Sequence, residues 1–96
     1  MLEELGNTPD EVADALRASG ITGVRNTVRF LNPIVRYAHT KLADVYGIDL
    51  IQGDVLRIEF ANDVVREIAV PRPVLRFLDG FHRGRYPDLE MPTRPG

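Results

Sequence analysis

The sequence has no cysteine, and none of its apolar runs approaches the roughly 20 residues that a membrane-spanning helix needs. The lack of cysteine excludes disulfides, thiol catalysis, iron–sulfur clusters and zinc sites with cysteine ligands. The first residues, Met1 to Leu5, lack the basic and apolar regions of a signal peptide. We therefore expect a cytoplasmic protein that does not associate with a membrane.

Acidic residues are missing from one long stretch of the chain. No aspartate or glutamate occurs between Asp14 and Asp44, whereas this stretch carries the basic residues Arg17, Arg25, Arg29, Arg36 and Lys41. The whole chain has a net charge of −2, so the basic stretch is a local imbalance in a slightly acidic protein. It surrounds the predicted start of the second helix, which is a physically reasonable place to hold an anion.

The length and composition predict one folded domain. The chain has 96 residues, of which 44% are hydrophobic and 27% charged, as is usual for a globular protein.

The first predicted helix is marked at both ends. Thr8 is a capping residue, Pro9 follows at the first helical position, and Glu11 can close a capping box. Gly20 suits the left-handed conformation in which such a helix ends.

Two more helices are predicted from proline positions. Asn32 is a good N-cap before Pro33, and the apolar stripe of the second helix continues to Gly47 through Ile34, Val35, Ala38, Leu42, Val45 and Tyr46. Pro73 opens a third helix that ends near Gly84. Residues 22–31, between the first and second predicted helices, are predicted to be mostly loop.

Three strands are predicted at residues 48–52, 55–60 and 65–70. The middle segment alternates apolar and charged residues, which is typical of a half-buried antiparallel strand. We predict an α+β domain over residues 1–89 with the order α-α-β-β-β-α, in which two helices and a C-terminal helix pack on a three-stranded antiparallel meander. Residues 90–96 are predicted to form a flexible tail. The predicted core consists of Leu16, Ile34, Ala38, Leu42, Leu56, Ile58, Phe60, Ile68, Val74, Leu78 and Phe81.

Several short motifs between residues 8 and 89 resemble a family of small uncharacterised actinobacterial proteins. The motifs are Pro9-x-x-Val12-Ala13-x-x-Leu16-Arg17-x-x-Gly20-Ile21, Pro33-Ile34-x-Arg36-Tyr37, Val70-Pro71-x-Pro73-Val74-x-x-Phe77 and Gly84-x-Tyr86-Pro87-Asp88-Leu89. Members of that family often carry a cysteine before the proline that opens the second helix, where this chain has Asn32. The resemblance implies the order of the elements but no activity.

The candidate ligand-binding residues are Arg25, Arg29, Asn32 and Arg36. Arginines beside a helix N-terminus combine bidentate donors with free backbone N–H groups, so this set is predicted to bind a small anion or the carboxylate of an acidic partner protein. On this hypothesis, replacing Arg29 and Arg36 with alanine weakens binding and leaves the melting temperature nearly unchanged. The alternative is that these arginines pair with acidic residues elsewhere or solubilise the surface.

Other function classes have weaker support. Arg72, Arg76, Arg83 and Arg85 are interleaved with aromatic residues, as in single-stranded nucleic-acid sites, but a pI of about 5.6 disfavours nucleic acid as the partner. Two histidines without metal-ligand spacing give little support to a small pathway enzyme that acts on a carboxylate or phosphate, and no cofactor or metal is expected. The open edges of the meander make a homodimer an option. The leading hypothesis is a non-enzymatic interaction or regulatory module.

Overall fold

The computed structural model describes residues 1–27 and 31–91. Within these ranges the chain forms three α-helices and three strands, which confirms the predicted α+β order. The elements are α1 (Pro9–Ala18), α2 (Pro33–Lys41), β1 (Val45–Ile51), β2 (Val55–Phe60), β3 (Val65–Ala69) and α3 (Arg72–His82), with 3₁₀ turns at Leu2–Leu5 and Pro87–Leu89. The predicted loop at residues 22–31 and the predicted tail at 90–96 lie partly outside the described residues.

The three strands form an antiparallel sheet in the order β1-β2-β3. Leu50 pairs with Leu56, which pairs on its other side with Ile68, so one row of apolar side chains crosses the sheet. Helix α2 packs against β1, whereas the main partner of α1 is α3. The core therefore lies between one face of the sheet and the helices.

The core combines the apolar stripes of all three helices with the covered face of β1 and β2. Helix α1 begins where the sequence predicts because its first turn is capped locally: the Thr8 hydroxyl accepts the Glu11 N–H at 3.1 Å, and the Glu11 carboxylate accepts the Asn7 N–H at 2.9 Å. Fully buried core side chains include Val12, Leu16, Ile34, Val35, Leu56, Ile58, Val74, Phe77 and Phe81.

The predicted end of the second helix is wrong. Helix α2 ends at Lys41, six residues before Gly47, and Leu42 is already extended with φ −114° and ψ 138°. Asp44 then takes a left-handed conformation with φ 58°, which turns the chain into β1. Val45 and Tyr46, which the helical stripe included, begin that strand, because β-branched and aromatic residues suit a pleated sheet beside β2.

Three residues of the predicted core are only partly buried. Leu42, Phe60 and Ile68 pack at the margin of the core, whereas the other predicted core residues are buried. Their positions explain the difference: α2 packs against β1, whereas Phe60 lies at the end of β2 and Ile68 lies on the edge strand β3. The alternation in β2 identified the correct face but not how far the helices reach across it.

The chain between α1 and α2 is joined to the C-terminal segment. The Gly23 N–H donates to the Leu89 carbonyl at 2.9 Å, and the Met91 N–H donates to the Gly23 carbonyl at 2.8 Å. A Cβ atom at Gly23 would lie 2.5 Å from Pro33 Cδ, so only glycine fits where this segment passes the start of α2. The anchored part of the chain therefore extends through Glu90 to Met91.

Candidate functional site

The backbone donors at the start of α2 are occupied within the chain. Asn32 is fully buried, and its Oδ1 accepts the N–H groups of Ile34 at 2.9 Å and Val35 at 3.3 Å. Pro33 has no N–H, and the Arg36 N–H donates to the Asn32 carbonyl. The first turn of α2 thus has no unpaired N–H group for an anion. Asn32 also donates from Nδ2 to the Thr27 carbonyl at 2.8 Å, which ties the start of α2 to Thr27.

Arg36 is engaged in a structural contact. Its Nη1 donates to the Thr22 carbonyl at 2.5 Å and lies 3.3 Å from the Thr22 hydroxyl. The side chain is partly buried and joins α2 to the segment that follows α1. Because a charge-assisted bond in a half-buried setting stabilises the fold, Arg36 has a role that needs no ligand.

Arg25 also has a partner within the chain. Its Nε lies 3.1 Å from Glu90 Oε1, so the arginine bridges to the C-terminal segment. Arg29 lies outside the described residues. The structure therefore gives Arg25, Asn32 and Arg36 intramolecular partners and does not present them as one vacant site. The anion site formed by the four predicted residues stays a prediction.

The aromatic residues that are interleaved with Arg72, Arg76, Arg83 and Arg85 pack in or against the core. Phe77 and Phe81 are fully buried, with ring centroids 5.8 Å apart, and the Tyr86 ring tilts onto Phe77 at 5.0 Å. Buried rings cannot stack on the bases of a nucleic acid. Arg83 is paired with Asp79 at 3.3 Å. These positions favour a structural role for the aromatic residues.

The histidines do not form a catalytic group. His82 Nδ1 accepts the backbone N–H of Asn26 at 2.8 Å, and burial lowers the pKa of His82 against the opposing effect of Asp79. His39 is exposed on α2. Within residues 1–27 and 31–91, no group of three or more histidine, aspartate or glutamate side chains is placed to hold a metal ion.

The sequence analysis missed an apolar groove at the open side of the sheet. The groove has a volume of about 480 Å³ and contains the three partly buried residues of the predicted core. We call it the hairpin groove, and its lining residues are Leu42, Ile58, Phe60, Asn62, Val64, Arg66 and Ile68. Val64, which precedes β3, and Val65, which begins it, are 41% and 47% exposed, although valine is usually buried. That exposed Val-Val pair after a turn was the available sequence signal.

Arg66 is the charged residue of the hairpin groove. Its side chain is exposed, and it makes no ion pair within residues 1–27 and 31–91. It pairs in register with Ile58 on β2, so it lies on the sheet face that carries the core residues. A positive charge beside half-buried apolar side chains favours a partner that combines apolar and acidic groups.

The outer edge of β3 carries unpaired backbone groups. Phe60 donates to the Val64 carbonyl, and Val70 donates to the Asp54 carbonyl, which fixes the alternation of the ladder between β2 and β3. The backbone groups of Arg66 and Ile68 therefore point toward β2, and those of Val65, Glu67 and Ala69 point away from it. In the described part of the chain no strand pairs with this edge.

A second concave surface lies between α1 and α3. This α1–α3 cleft has a volume of about 660 Å³ and is lined by Pro9, Asp10, Leu75, Arg76, Asp79, Gly80, Arg85 and Tyr86. Its volume is in the range of small-molecule sites. The Tyr86 hydroxyl donates to Asp10 Oδ1 at 3.1 Å, and burial together with this bond raises the pKa of Tyr86.

Comparison with known proteins finds no match among family models, curated sequences or solved structures. The resemblance to small actinobacterial proteins therefore stays a prediction. In the described parts of the chain, every helix falls short of the length and apolar character that crossing a bilayer requires.

Proposed function

We propose that this protein is a non-enzymatic interaction module that binds an extended, acidic and apolar segment of a partner protein along β3. The observation that carries this proposal is the hairpin groove, where Leu42, Phe60 and Ile68 face the core side of the sheet but remain partly exposed. Contiguous exposed apolar surface bordered by polar groups is typical of protein interaction sites.

The edge of β3 supports an extended partner. A peptide that lies alongside β3 would bond to the outward backbone groups of Val65, Glu67 and Ala69. Alternate side chains of such a peptide would then point to the same face as Ile68 and Arg66. Apolar side chains would extend the hairpin groove, and a carboxylate among them would meet the unpaired Arg66. The partner is therefore an acidic protein, as the sequence predicts, with Arg66 as the recognising arginine.

A second copy of this chain fits the β3 edge less well. Consider two β3 strands that pair antiparallel about a two-fold axis, with both core faces on the same side of the joined sheet. If the axis passes through Arg66, the two copies of Arg66 lie opposite each other, and if it passes through Glu67, the two copies of Glu67 do. A pairing centred on Val65 places Glu67 opposite Asp63. Like charges directly opposite each other destabilise a sheet. The charges of β3 thus disfavour an edge-to-edge homodimer in these three registers, whereas a different chain can place an acidic residue opposite Arg66.

The test uses a synthetic peptide, acetyl-Val-Thr-Glu-Thr-Val-Thr-amide, whose glutamate lies on the same face as its two valines, and a second peptide with lysine in place of glutamate. We expect the acidic peptide to shift the amide resonances of Val65, Glu67 and Ala69 in the labelled protein. Arg66→Glu should weaken its binding about tenfold and make the lysine peptide the better ligand. Arg72→Glu is the matched control, because Arg72 is exposed at the start of α3 and does not line the hairpin groove.

Three outcomes would overturn the proposal. Resonance shifts outside β3 and the hairpin groove would place binding elsewhere, and an equal response of both peptides to Arg66→Glu would remove Arg66 from recognition. A solution mass above the 10.8 kDa of one chain, with β3 resonances that change with protein concentration, would show that a second copy occupies the edge.

A further inference from the structure

The α1–α3 cleft is held open by the way the chain turns after α3. The Arg85 N–H donates to the Gly80 carbonyl at 2.9 Å, and the Gly84 N–H donates to the Phe81 carbonyl at 3.0 Å, which is a Schellman ending. Gly84 has φ 82°, as that ending requires. This turn directs Arg85 and Tyr86 back along α3.

Gly80 makes room for the returning segment. A Cβ atom at Gly80 would lie 3.0 Å from Tyr86 Cε2 and 3.6 Å from Arg85 Cδ, so it would crowd the Tyr86 ring and touch the Arg85 side chain. The Tyr86 ring is held from behind by Phe77 and at its hydroxyl by Asp10. The wall of the cleft is therefore fixed before any ligand arrives, which lowers the entropic cost of binding.

The acidic side chains that line the cleft have hydrogen-bond donors, whereas the basic side chains have no acceptors within the described residues. Asp10 accepts the Tyr86 hydroxyl, and Asp79 accepts Arg83 Nε at 3.3 Å. Arg76 and Arg85 are exposed, and their side chains make no ion pair or hydrogen bond to any other residue in the ranges 1–27 and 31–91. Each carboxylate thus has a donor, while both guanidinium groups are free to bind an external acceptor.

We propose that the α1–α3 cleft binds a small organic anion, with its carboxylate or phosphate on Arg76 and Arg85 and its apolar body against Leu75, Pro9 and the Tyr86 ring. Arginine offers paired donors that match the geometry of both oxyanions. The apolar lining favours a ligand with a hydrocarbon or aromatic part over a bare inorganic ion. This site is separate from the hairpin groove and does not depend on the function proposed for it.

The experiment compares phenyl phosphate, benzoate, inorganic phosphate and benzyl alcohol as probes, by amide resonance shifts in the labelled protein. We expect phenyl phosphate or benzoate to shift residues 75–80 and 85–86. The double variant Arg76→Ala/Arg85→Ala should raise the dissociation constant of that probe at least about tenfold. The matched control is Arg72→Ala, which removes an exposed arginine of the same helix that does not line the cleft and should change the constant less than about twofold.

The probes separate the parts of the proposal. A preference between benzoate and phenyl phosphate identifies which oxyanion the arginines select. Equal binding of benzyl alcohol would show an apolar cleft without anion recognition, and equal binding of inorganic phosphate would show that the apolar body contributes nothing. Either result overturns the proposal, as does the absence of shifts in the cleft or an unchanged affinity in the double variant. All three arginines are exposed, so the melting temperatures of the variants should match that of the parent.

Discussion

The two sides of this molecule differ in how many of their residues bond to distant parts of the chain. On the anchored side, which comprises α1, α2, α3 and the segments that flank them, distant residues are tied together: Arg17 bonds to Asp88 at 2.5 Å, and Gly23 bonds to the C-terminal segment. On the open side, which comprises residues 60–69, Val64 and Val65 are exposed and Arg66 makes no ion pair within the described chain. The stability of the fold is therefore concentrated on the anchored side, and the open side has surface available for a partner.

The difference between the two sides has a general basis. A small domain buries only part of its apolar surface, so it cannot cover both halves of a sheet with three short helices. Here α2 packs on β1, and Leu42, Phe60 and Ile68 are left partly exposed. Apolar residues retained on such a surface stabilise the domain less than core residues do, which is consistent with a role in recognition.

The largest expected effect compares one phenylalanine from each side. Phe77→Ala removes a fully buried ring that contacts Phe81 and Tyr86 and should lower the free energy of unfolding by about 3–5 kcal/mol. Phe60→Ala removes the same atoms from a partly exposed position and should cost about 1–2 kcal/mol. Urea denaturation measures both. Equal losses would show that the two sides contribute alike and would end the comparison.

An asparagine pair tests the same contrast for polar groups. Asn32→Ala removes the buried cap of α2 and its bond to the Thr27 carbonyl, so we expect a loss of about 1–2 kcal/mol. Asn62→Ala removes an exposed contact at 3.3 Å to the Val64 N–H and should cost about 0.5 kcal/mol or less. If the melting temperatures of the two variants coincide, Asn32 does not anchor the start of α2.

Arg36→Ala distinguishes a structural role from a binding role. Because Arg36 Nη1 donates to the Thr22 carbonyl in a half-buried position, its loss should lower the free energy of unfolding by about 1 kcal/mol. This differs from the expectation from sequence that its removal would hardly affect the melting temperature. Arg72→Ala provides the exposed control. If Arg36→Ala is as stable as the control, Arg36 has no structural role and stays a candidate residue of the predicted anion site.

The smallest effect concerns pH and the Arg17–Asp88 contact. Arg17 holds the pKa of Asp88 below its ordinary value of 3.8, so this contact stabilises the fold above that pH and is lost as the pH falls through the folded-state pKa. The difference in unfolding free energy between the parent and Asp88→Asn should be constant down to about pH 5. It should decrease when the pH falls below the ordinary aspartate pKa of 3.8.

Asp63→Asn is the control for that titration, because Asp63 is an exposed residue of the open side and makes no ion pair within the described residues. Its difference from the parent should lack the decrease seen with Asp88→Asn. Identical pH profiles for the two variants would show that the Arg17–Asp88 contact does not contribute to acid stability.

Local sequence explains where the elements begin but not all of where they end. Thr8 and Asn32 satisfy N–H groups two or three residues away, so their roles could be predicted from spacing alone. The end of α2 could not, because the apolar stripe continued to Tyr46 while Val45 paired with Phe60 on another strand. Tyr46 is 82% exposed, which shows that a residue in a helical pattern had no core position to occupy.

The candidate sites depended even more on distant contacts. Arg25 was predicted to bind a ligand, yet its partner Glu90 is far away in the sequence. The α1–α3 cleft brings Asp10 to Tyr86, a separation that no local motif indicates. The hairpin groove arises because Leu42, Phe60 and Ile68 are only partly covered, which is a property of packing rather than of any one segment.

The sequence by itself determined the helix starts, the alternation of β2 and the order of the elements, because capping and periodicity act between near neighbours. Only the tertiary structure decided which arginines find acidic or carbonyl partners and which remain free, because those bonds join residues that the fold alone brings together. It also decided that the apolar face of β2 and β3 is only partly covered, since coverage depends on how three helices share one small sheet.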